Sequence, residues 1–367
     1  MLVDSPGLPL PPRTDGQQPV PRRSALEQMP KWLICIPLVI QWSWLALRYG
    51  SITLPSAANP GITAGGLVGE GKLEYFNAMG ARARAVTAAH IGLRDAACYS
   101  DTQLAALLAR AALQFPLVAK PDLGLCGYGV CKLDSPAALR AYADRYPAGE
   151  VVVLQQYLDD DNEAGIFYAR DPVSGAGRLI GLALREFPRV VGDGASTVRQ
   201  LIAADPRAGR VLGSSAHSSG LDLDQIPAAG QLIRLATIGS TRVGGLYRDG
   251  GALISAELTA AIDAIARDMR EFYFGRFDVR FGSARQLSRG AGFTIMEVNG
   301  AGSEAIQAWD PETDLVAGLR MIFAKQRLLF AIGAANRRRG VRPIGTLALM
   351  RLNWRQNRLI SLYPPSN

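Results

Sequence analysis

The segment FTIMEVNGAG, residues 293–302, is strongly apolar except for Glu297 and Asn299, which stand two positions apart. Side chains at i and i+2 project from the same face of a β-strand, so this pair would stand side by side while Met296 and Val298 point to the core. Two oxygen ligands on one strand face can hold a hard cation. The pair alone does not decide the matter, because a polar strand face turned to water needs no function.

A second strand is predicted from GRFDVRFG, residues 275–282, in which apolar and charged residues alternate with period two. A segment that contains Gly and Ser joins the two stretches, so they can pair antiparallel with their charged faces together. Asp278 would then converge with the Glu-x-Asn pair, and three oxygen side chains without His or Cys suit Mg²⁺, with Mn²⁺ as an alternative. The competing interpretation is a surface hairpin in which Arg276 and Arg280 merely pair with the carboxylates.

The composition is that of a folded protein of two or three domains, with 367 residues, 48% hydrophobic and 20% charged. The net charge of +8 comes from 35 Arg and 5 Lys, which are scattered except at residues 337–339. This balance favours phosphate, acidic ligands or an anionic membrane surface. The basic residues form no stripe interleaved with aromatic residues, so nucleic acid is not predicted as a partner. Four cysteines without a CxxC pair indicate a reducing compartment and no zinc site.

A glycine-rich hairpin is predicted in FPLVAKPDLGLCGYGV, residues 115–130. An apolar strand ends at Lys120, and Gly124, Gly127 and Gly129 form the loop before a second strand. Glycines let backbone N–H groups approach phosphate oxygens, and the lysine supplies a point charge to them. Any hairpin can carry such glycines for its turns, but a lysine is rare in this chain.

Another lysine follows a glycine-rich stretch in GGLVGEGKL, residues 65–73. Gly66, Gly71 and Lys72 match most of the P-loop pattern, but Leu73 occupies the place of the hydroxyl residue that would hold Mg²⁺. No buried strand precedes the stretch. We therefore reject a P-loop and keep Lys72 as a phosphate contact.

A nucleotide-base contact is predicted in VVVLQQYLDDDNE, residues 151–163, where an apolar strand leads into Tyr157 and Leu158. The backbone edge there can pair with an adenine, and Glu163, five residues on, can accept ribose hydroxyls. The same pattern is also that of an ordinary strand, turn and strand. Further along the chain, Arg185 is a candidate phosphate contact.

The N-terminal part changes character abruptly. Residues 1–30 are rich in Pro and polar residues and are predicted to be disordered, whereas residues 32–47 are apolar, contain three Trp and lie between Lys31 and Arg48. Such a stretch favours a helix at a membrane surface or one buried against the protein, and a spanning helix or a signal peptide is an alternative. We expect a cytoplasmic protein, with peripheral contact at the inner membrane face.

As a set, these residues resemble the ATP-grasp superfamily, and especially its D-alanine:D-alanine ligase-like branch of carboxylate-amine ligases, over roughly residues 66–320. The resemblance implies an α/β protein of the α+β type, with two α+β subdomains sandwiching ATP and a reduced N-terminal region. The predicted organisation, in chain order, is a tail (1–30), an apolar helix (31–50), an N-terminal region with Lys72 (51–114), a small subdomain (115–158), a large subdomain with the metal site (159–320), and a C-terminal helix and strand (321–367).

The resemblance also implies roles for individual residues. Lys72 and Lys120 would contact the ATP phosphates, Glu163 would hold the ribose, and Arg276 would be the catalytic arginine with Arg280 beside it. The magnesium ligands would be Asp278, Glu297 and Asn299.

Two departures from the superfamily pattern concern the base and the substrate. Gln155 or Gln156 stands where a hinge glutamate is common, and GAGSEA follows Asn299 where the D-alanine ligases have a different turn. The implied reaction activates a small-molecule carboxylate as an acyl phosphate and joins it to an amine, with neither substrate specified. A phosphotransferase and a degenerate ATP-binding sensor or scaffold at a membrane are the alternatives, and the oligomeric state is open.

Overall fold

A computed structural model of the chain describes residues 24–160, 162–213 and 221–366. Within them the strands are β1 His90–Arg94, β2 Leu117–Pro121, β3 Cys131–Leu133, β4 Val151–Gln156, β5 Asn162–Arg170, β6 Gly177–Glu186, β7 Arg189–Val191, β8 Leu232–Arg234, β9 Leu246–Asp249, β10 Phe274–Phe281 and β11 Phe293–Asn299. The α-helices are α1 Ala25–Gln28, α2 Lys31–Tyr49, α3 Lys72–Ala78, α4 Ala81–Ala85, α5 Asp101–Arg110, α6 Pro136–Ala143, α7 Val198–Ala204, α8 Gly209–Gly213, α9 Ala256–Arg267, α10 Ala284–Ser288, α11 Leu315–Arg338 and α12 Thr346–Ile360.

The small subdomain is a four-stranded antiparallel sheet in the order β1-β4-β2-β3. Helices α5 and α6 share its core with buried strand residues such as Leu117 and Leu154. The predicted start of this subdomain at residue 115 is wrong, because β1 pairs along β4 from His90 to Arg94. The apolar alternation of β1 is too short to identify a strand from the sequence.

The large subdomain is a five-stranded antiparallel sheet in the order β11-β10-β5-β6-β9. The predicted pairing of β10 with β11 is confirmed, with Asp278 opposite Glu297. A β-bulge follows this pair and places Met296 outside the ladder, half-buried at the cavity described below. The prediction that Met296 points to the core is therefore wrong, whereas Val298 is buried in the core as predicted.

An additional small unit, residues 187–245, is inserted between β6 and β9 of the large sheet. Its described residues form the antiparallel pair of β7 and β8 together with α7 and α8, and they share an apolar core around Val198 and Ile202. Thr197 caps α7 through a reciprocal pair of bonds with Gln200. From the sequence, these residues were predicted to lie within the large subdomain, without a separate unit.

Both ends of the chain differ from the predictions. Part of the predicted disordered tail, residues 24–28, is ordered: Ser24 caps α1 and Leu26 is buried. Residues 1–23 lie outside the described residues. The predicted C-terminal strand is wrong, because that stretch forms α12. The exposed apolar residues of α12 follow helical spacing, at Leu347, Met350 and Trp354. The prediction failed because an apolar run this short is also compatible with a strand.

Helix α2 lies alongside α11, where Trp42 packs edge-on against Phe330 with ring centroids 5.0 Å apart. Among the described residues it is the one helix long and apolar enough to cross a bilayer, a criterion that buried core helices and signal sequences also meet. The overall architecture is α+β, as predicted, with two antiparallel sheets on either side of one cavity.

Candidate active site

A cavity of about 490 Å³ lies between the two sheets. This volume is in the range of small-molecule sites, which is about 300–1,000 Å³. The predicted site residues that line it are Lys72, Lys120, Gly124, Gly127, Gln155, Gln156, Tyr157, Leu158, Glu163, Arg185, Arg276, Asp278, Arg280, Glu297 and Asn299. Gly129 is not among the lining residues. A Cβ there would lie 2.7 Å from Pro121 Cγ and 2.9 Å from Tyr363 Cβ, so this glycine serves close packing at positive φ.

The two lysines enter the cavity from different elements. Lys72 is the first residue of α3, and its Nζ lies 3.3 Å from Glu297 Oε1 on β11. Lys120, near the end of β2, is buried and donates to Gln155 Oε1 at 2.7 Å and to the carbonyl of Met296 at 2.9 Å. Burial, the largest cause, and nearby Lys72 together lower the pKa of Lys120 to about 8, against the opposing effect of Glu297. Lys72 and Lys120 therefore bring two ammonium groups close to the Glu297 carboxylate.

The glycine loop between β2 and β3 is held in place by the C-terminal segment. Gln356 on α12 accepts from the amide of Gly69 at 3.1 Å and donates to the carbonyl of Gly124 at 3.1 Å. The Tyr363 hydroxyl donates to Leu123, and the Ser366 hydroxyl donates to the loop at Gly127, each at 2.7 Å. One glutamine thus connects the segment before Lys72 to the loop after Lys120.

Sequence reasoning missed this contribution of α12. Asn353, Gln356 and Asn357 all line the cavity. They stand at i, i+3 and i+4, so they share one face of the helix. The signal was present in the sequence, but it is visible only when the stretch is read as a helix.

The carboxylate of Asp278 is the most heavily bonded group in the site. It accepts from Arg276 Nε at 2.6 Å and Nη2 at 3.0 Å, from Arg185 Nη2 at 3.1 Å and from Asn299 Nδ2 at 3.1 Å. Burial acts to raise the pKa of Asp278, but the two guanidinium groups outweigh it and hold the pKa below its ordinary value. Asp278 is therefore a buried anion fixed between two cations.

Gly165 on β5 makes this arrangement possible. It pairs with Asp278 across the sheet, and a Cβ there would lie 2.9 Å from Arg276 Cδ and 3.2 Å from Asp278 Oδ1. Any side chain at this position would push against the ion pair. The glycine was not recognised from the sequence, because its role depends on a partner strand more than a hundred residues away.

The three predicted metal ligands are not equivalent. The Glu297 side chain is 30% exposed and, among the described residues, forms one ion pair, with Lys72, whereas that of Asp278 is 2% exposed with both oxygens bonded. Glu297 and Asn299 present oxygen-bearing groups of the kind that Mg²⁺ prefers. These two residues fit a magnesium site, and Asp278 would join it only after an arginine moves. In the described part of the chain, no cluster of three His, Cys, Asp or Glu side chains forms a metal site.

The polar side chains that were predicted to contact the ribose and the base already have partners within the protein. Glu163 receives Arg185 at 2.7 Å on one oxygen and has Arg280 at 3.5 Å on the other. Gln155 is buried beside Lys120, and Gln156 exchanges hydrogen bonds with the backbone of Gln114. In this structure the two glutamines orient Lys120 and the strand end, and their contact with a base stays a prediction.

Two acidic residues in the cavity were not predicted. Glu70 has an oxygen, Oε2, without a hydrogen-bond partner among the described residues, and burial raises its pKa to about 7. Glu304, after β11, is exposed to the cavity, and Arg276 donates to its carbonyl at 3.4 Å. Neither stands in a motif, so only the fold reveals them.

We expect Gln356→Ala to weaken the binding of ATP, the ligand that the sequence resemblance implies, by roughly tenfold. The substitution removes two hydrogen bonds, each worth about 1 kcal/mol, that hold the glycine loop to the segment before Lys72. Calorimetric titration with ATP measures the change. Arg351→Ala, on the exposed face of the same helix, is the matched control and should bind like wild type. Equal affinities for both variants would show that Gln356 does not position the loop.

We also expect ATP affinity to fall above pH 8. Lys120 has a lowered pKa in the free protein and must be protonated to attract phosphate, so it is charged below its pKa of about 8 and neutral above it. The dissociation constant should rise by up to about tenfold per unit above pH 8, a range in which Glu70 is already ionised. Lys120→Met should bind weakly with little pH dependence, whereas Lys325→Met, which removes another buried lysine with a pKa of about 8, should keep the wild-type profile. A flat wild-type profile would contradict this.

The fold is similar to several solved ligase structures. A bifunctional glutathione synthetase from Pasteurella multocida matches with a TM-score of 0.36 and 16% identity, over 69% of this chain and 36% of that one. An N5-carboxyaminoimidazole ribonucleotide synthetase, solved as an ADP complex, matches with a TM-score of 0.35 and 14% identity, over 68% and 48%. A D-alanine–D-alanine ligase from Bacillus anthracis matches with a TM-score of 0.38 and 14% identity, over 71% and 68%.

The chain thus spans about a third to a half of the length of the first two proteins. No protein-family profile matches it, and no curated protein is significantly similar. By name, the matched structures are two synthetases and a ligase. At TM-scores below 0.5 they do not establish a reaction, which has to be argued from the cavity itself.

Proposed function

We propose that this protein is an ATP-grasp ligase that uses ATP and Mg²⁺ to activate a small-molecule carboxylate as an acyl phosphate and to join it to an amine. The observation that carries the proposal is the meeting of two sets of groups in one cavity. Lys72, Lys120 and the glycine loop form a cationic wall, and the Asp, Glu and Asn side chains of β10 and β11 lie next to it.

The cationic wall suits a polyphosphate. Lysine ammonium groups and the backbone N–H groups of a glycine loop bind phosphate oxygens, whatever the orientation of the nucleotide base. Lys72 Nζ would lie only 2.9 Å from a Cβ at Gly124, so the loop and the ammonium group are already in contact distance. A phosphate chain between Lys72 and Lys120 would lie against Glu297. That carboxylate, with Asn299 and after rearrangement Asp278, would hold Mg²⁺, which neutralises phosphate charge during transfer.

The arginines on β10 are suited to the reacting carboxylate. In the proposed first step a carboxylate oxygen attacks the γ-phosphorus, the bond to the β,γ-bridging oxygen breaks, and ADP leaves. Arg276 is fixed by Asp278 beside the cavity, so its charge is positioned before the substrate arrives. It would stabilise the oxyanion that forms when the amine attacks the acyl phosphate.

The amine would be received by the acidic residues of the cavity. In the second step the amine nitrogen attacks the acyl carbon, the bond to phosphate oxygen breaks, and the nitrogen loses a proton. Glu70, with a pKa of about 7 and an unpartnered Oε2 among the described residues, is suited to accept that proton. Glu304, which follows β11 in the chain, offers a negative charge near Arg276.

The test is release of ADP and phosphate from the purified protein with Mg-ATP, pooled carboxylates and pooled amines, separately and together. Release that requires both pools supports the proposal. Release of ADP with the carboxylate pool alone, accompanied by a stable phosphorylated product, would indicate a phosphotransferase. ATP binding without release in any mixture would favour a nucleotide-binding sensor or scaffold, and either of these results would overturn the ligase assignment.

We expect Glu297→Gln to lower turnover by about 100- to 1,000-fold, the usual cost of one electrostatic contact in an active site. Because a neutral amide attracts Mg²⁺ less, the variant should also lose most of the Mg²⁺ dependence of ATP binding. Glu312→Gln, whose side chain is 86% exposed, is the control. Thermal unfolding of both variants checks that the fold is intact. Turnover of Glu297→Gln within about threefold of wild type would contradict the assigned role.

A further inference from the structure

Helix α2 presents an apolar face that nothing in the described structure covers. It holds two tryptophans, Trp32 at 67% and Trp44 at 51% relative exposure, and Leu47 at 83%. The remaining exposed large apolar residues of this helix are Leu33, Ile36, Val39 and Ile40. A contiguous face of this size is uncommon on a soluble protein surface and marks a contact with another apolar phase or partner.

The opposite face of α2 packs against the rest of the protein. The Gln41 amide donates to the carbonyl of Phe323 at 2.9 Å and to Gln326 Oε1 at 3.0 Å. Leu45 is buried in a core that it shares with Phe330. Crossing a bilayer would strip these partners from Gln41 and expose the core under Leu45, so the helix is built to lie on the protein with its outer face free.

The charges at the ends of α2 are all basic. The helix contains no Asp or Glu, begins at Lys31 and has Arg48 in its last turn, where the guanidinium lies 5.3 Å from the Trp44 ring centroid. It runs parallel to α11, because Gln41 contacts the middle of α11 and the Tyr49 carbonyl accepts from Arg337 near its end. The exposed Arg337 therefore lies at the end of α2, and the exposed Arg338 follows it.

We propose that this face docks in the plane of an anionic lipid bilayer. Tryptophans at both ends, apolar side chains between them and basic residues at the margins match an interfacial helix, in which each basic residue near the surface adds about 1 kcal/mol. A second copy of the chain fits less well, because pairing two such faces would bring basic ends together without acidic partners. This docking surface is independent of the proposed reaction.

The test is co-sedimentation of the full chain with vesicles of phosphatidylcholine alone and with one part in three of phosphatidylglycerol. We expect binding to the anionic vesicles that weakens with added salt. The double variant Trp32→Ser/Trp44→Ser should lower the binding constant by tenfold or more, and Arg337→Ala/Arg338→Ala by about tenfold. The matched controls change exposed residues elsewhere: Val173→Ser/Ile226→Ser for the apolar pair and Arg110→Ala/Arg199→Ala for the charged pair.

Three results would overturn the proposal. Absence of binding to anionic vesicles excludes the lipid surface, and equal loss of binding in the control variants would make the attraction non-specific. A wild-type protein that self-associates but does not bind vesicles, and that loses self-association in Trp32→Ser/Trp44→Ser, would identify a second copy of the chain as the occupant. Analytical ultracentrifugation without lipid separates this case. Circular dichroism of each variant checks that α2 and the body remain folded.

Discussion

The buried ion pair between Asp278 and two arginines is the constraint on which the cavity depends. A carboxylate with a 2% exposed side chain is stable as an anion only because Arg276 and Arg185 supply charge and hydrogen bonds on both of its oxygens. Its geometry requires a strand that places Arg and Asp two positions apart, a glycine across from them on β5, and a third strand that brings Arg185. These requirements align the three central strands of the large sheet.

The same ion pair belongs to a larger network of charged side chains in the cavity. Arg185 bridges Asp278 to Glu163, and Arg280 lies against the other oxygen of Glu163, so the polar face of the sheet is a chain of alternating signs. Across the cavity, Lys72 is balanced by Glu297, while Lys120 lacks a direct carboxylate partner among the described residues and its pKa falls to about 8. A phosphate chain would supply the missing negative charge at that point. The site is thus prepared for an anionic ligand by an excess of cations on its small-subdomain wall.

Much of the site could be predicted from local patterns. Period-two alternation identified β10, and the Glu-x-Asn pair within an apolar run identified β11. Their antiparallel pairing, which brings Asp278 close to Glu297 and Asn299, followed from these two local patterns. Lys120 was found because it ends an apolar strand before a glycine loop. Each of these predictions needs only neighbouring residues, which is why the sequence was sufficient.

The remainder depends on contacts between distant segments. Gln356 reaches the glycine loop over more than two hundred residues, and the short strand β1 is recognised only by its pairing with β4. The bulge that turns Met296 out of the core follows from the register of two strands. Helix α12 was misread because the six apolar or aromatic residues within positions 346–354 fit the period of a strand as well as that of a helix. Long-range partners decided these elements, and a single sequence does not record them.

The central claim is that a triphosphate lies in this cavity between Lys72 and Lys120. A crystal structure grown with Mg²⁺ and a non-hydrolysable ATP analogue tests it most directly. The account predicts phosphate oxygens within hydrogen-bond distance of both ammonium groups and of the loop at Gly124, with Mg²⁺ at Glu297 and Asn299. An analogue bound elsewhere, or a cavity that stays closed by the Lys72–Glu297 contact at saturating analogue, would contradict it.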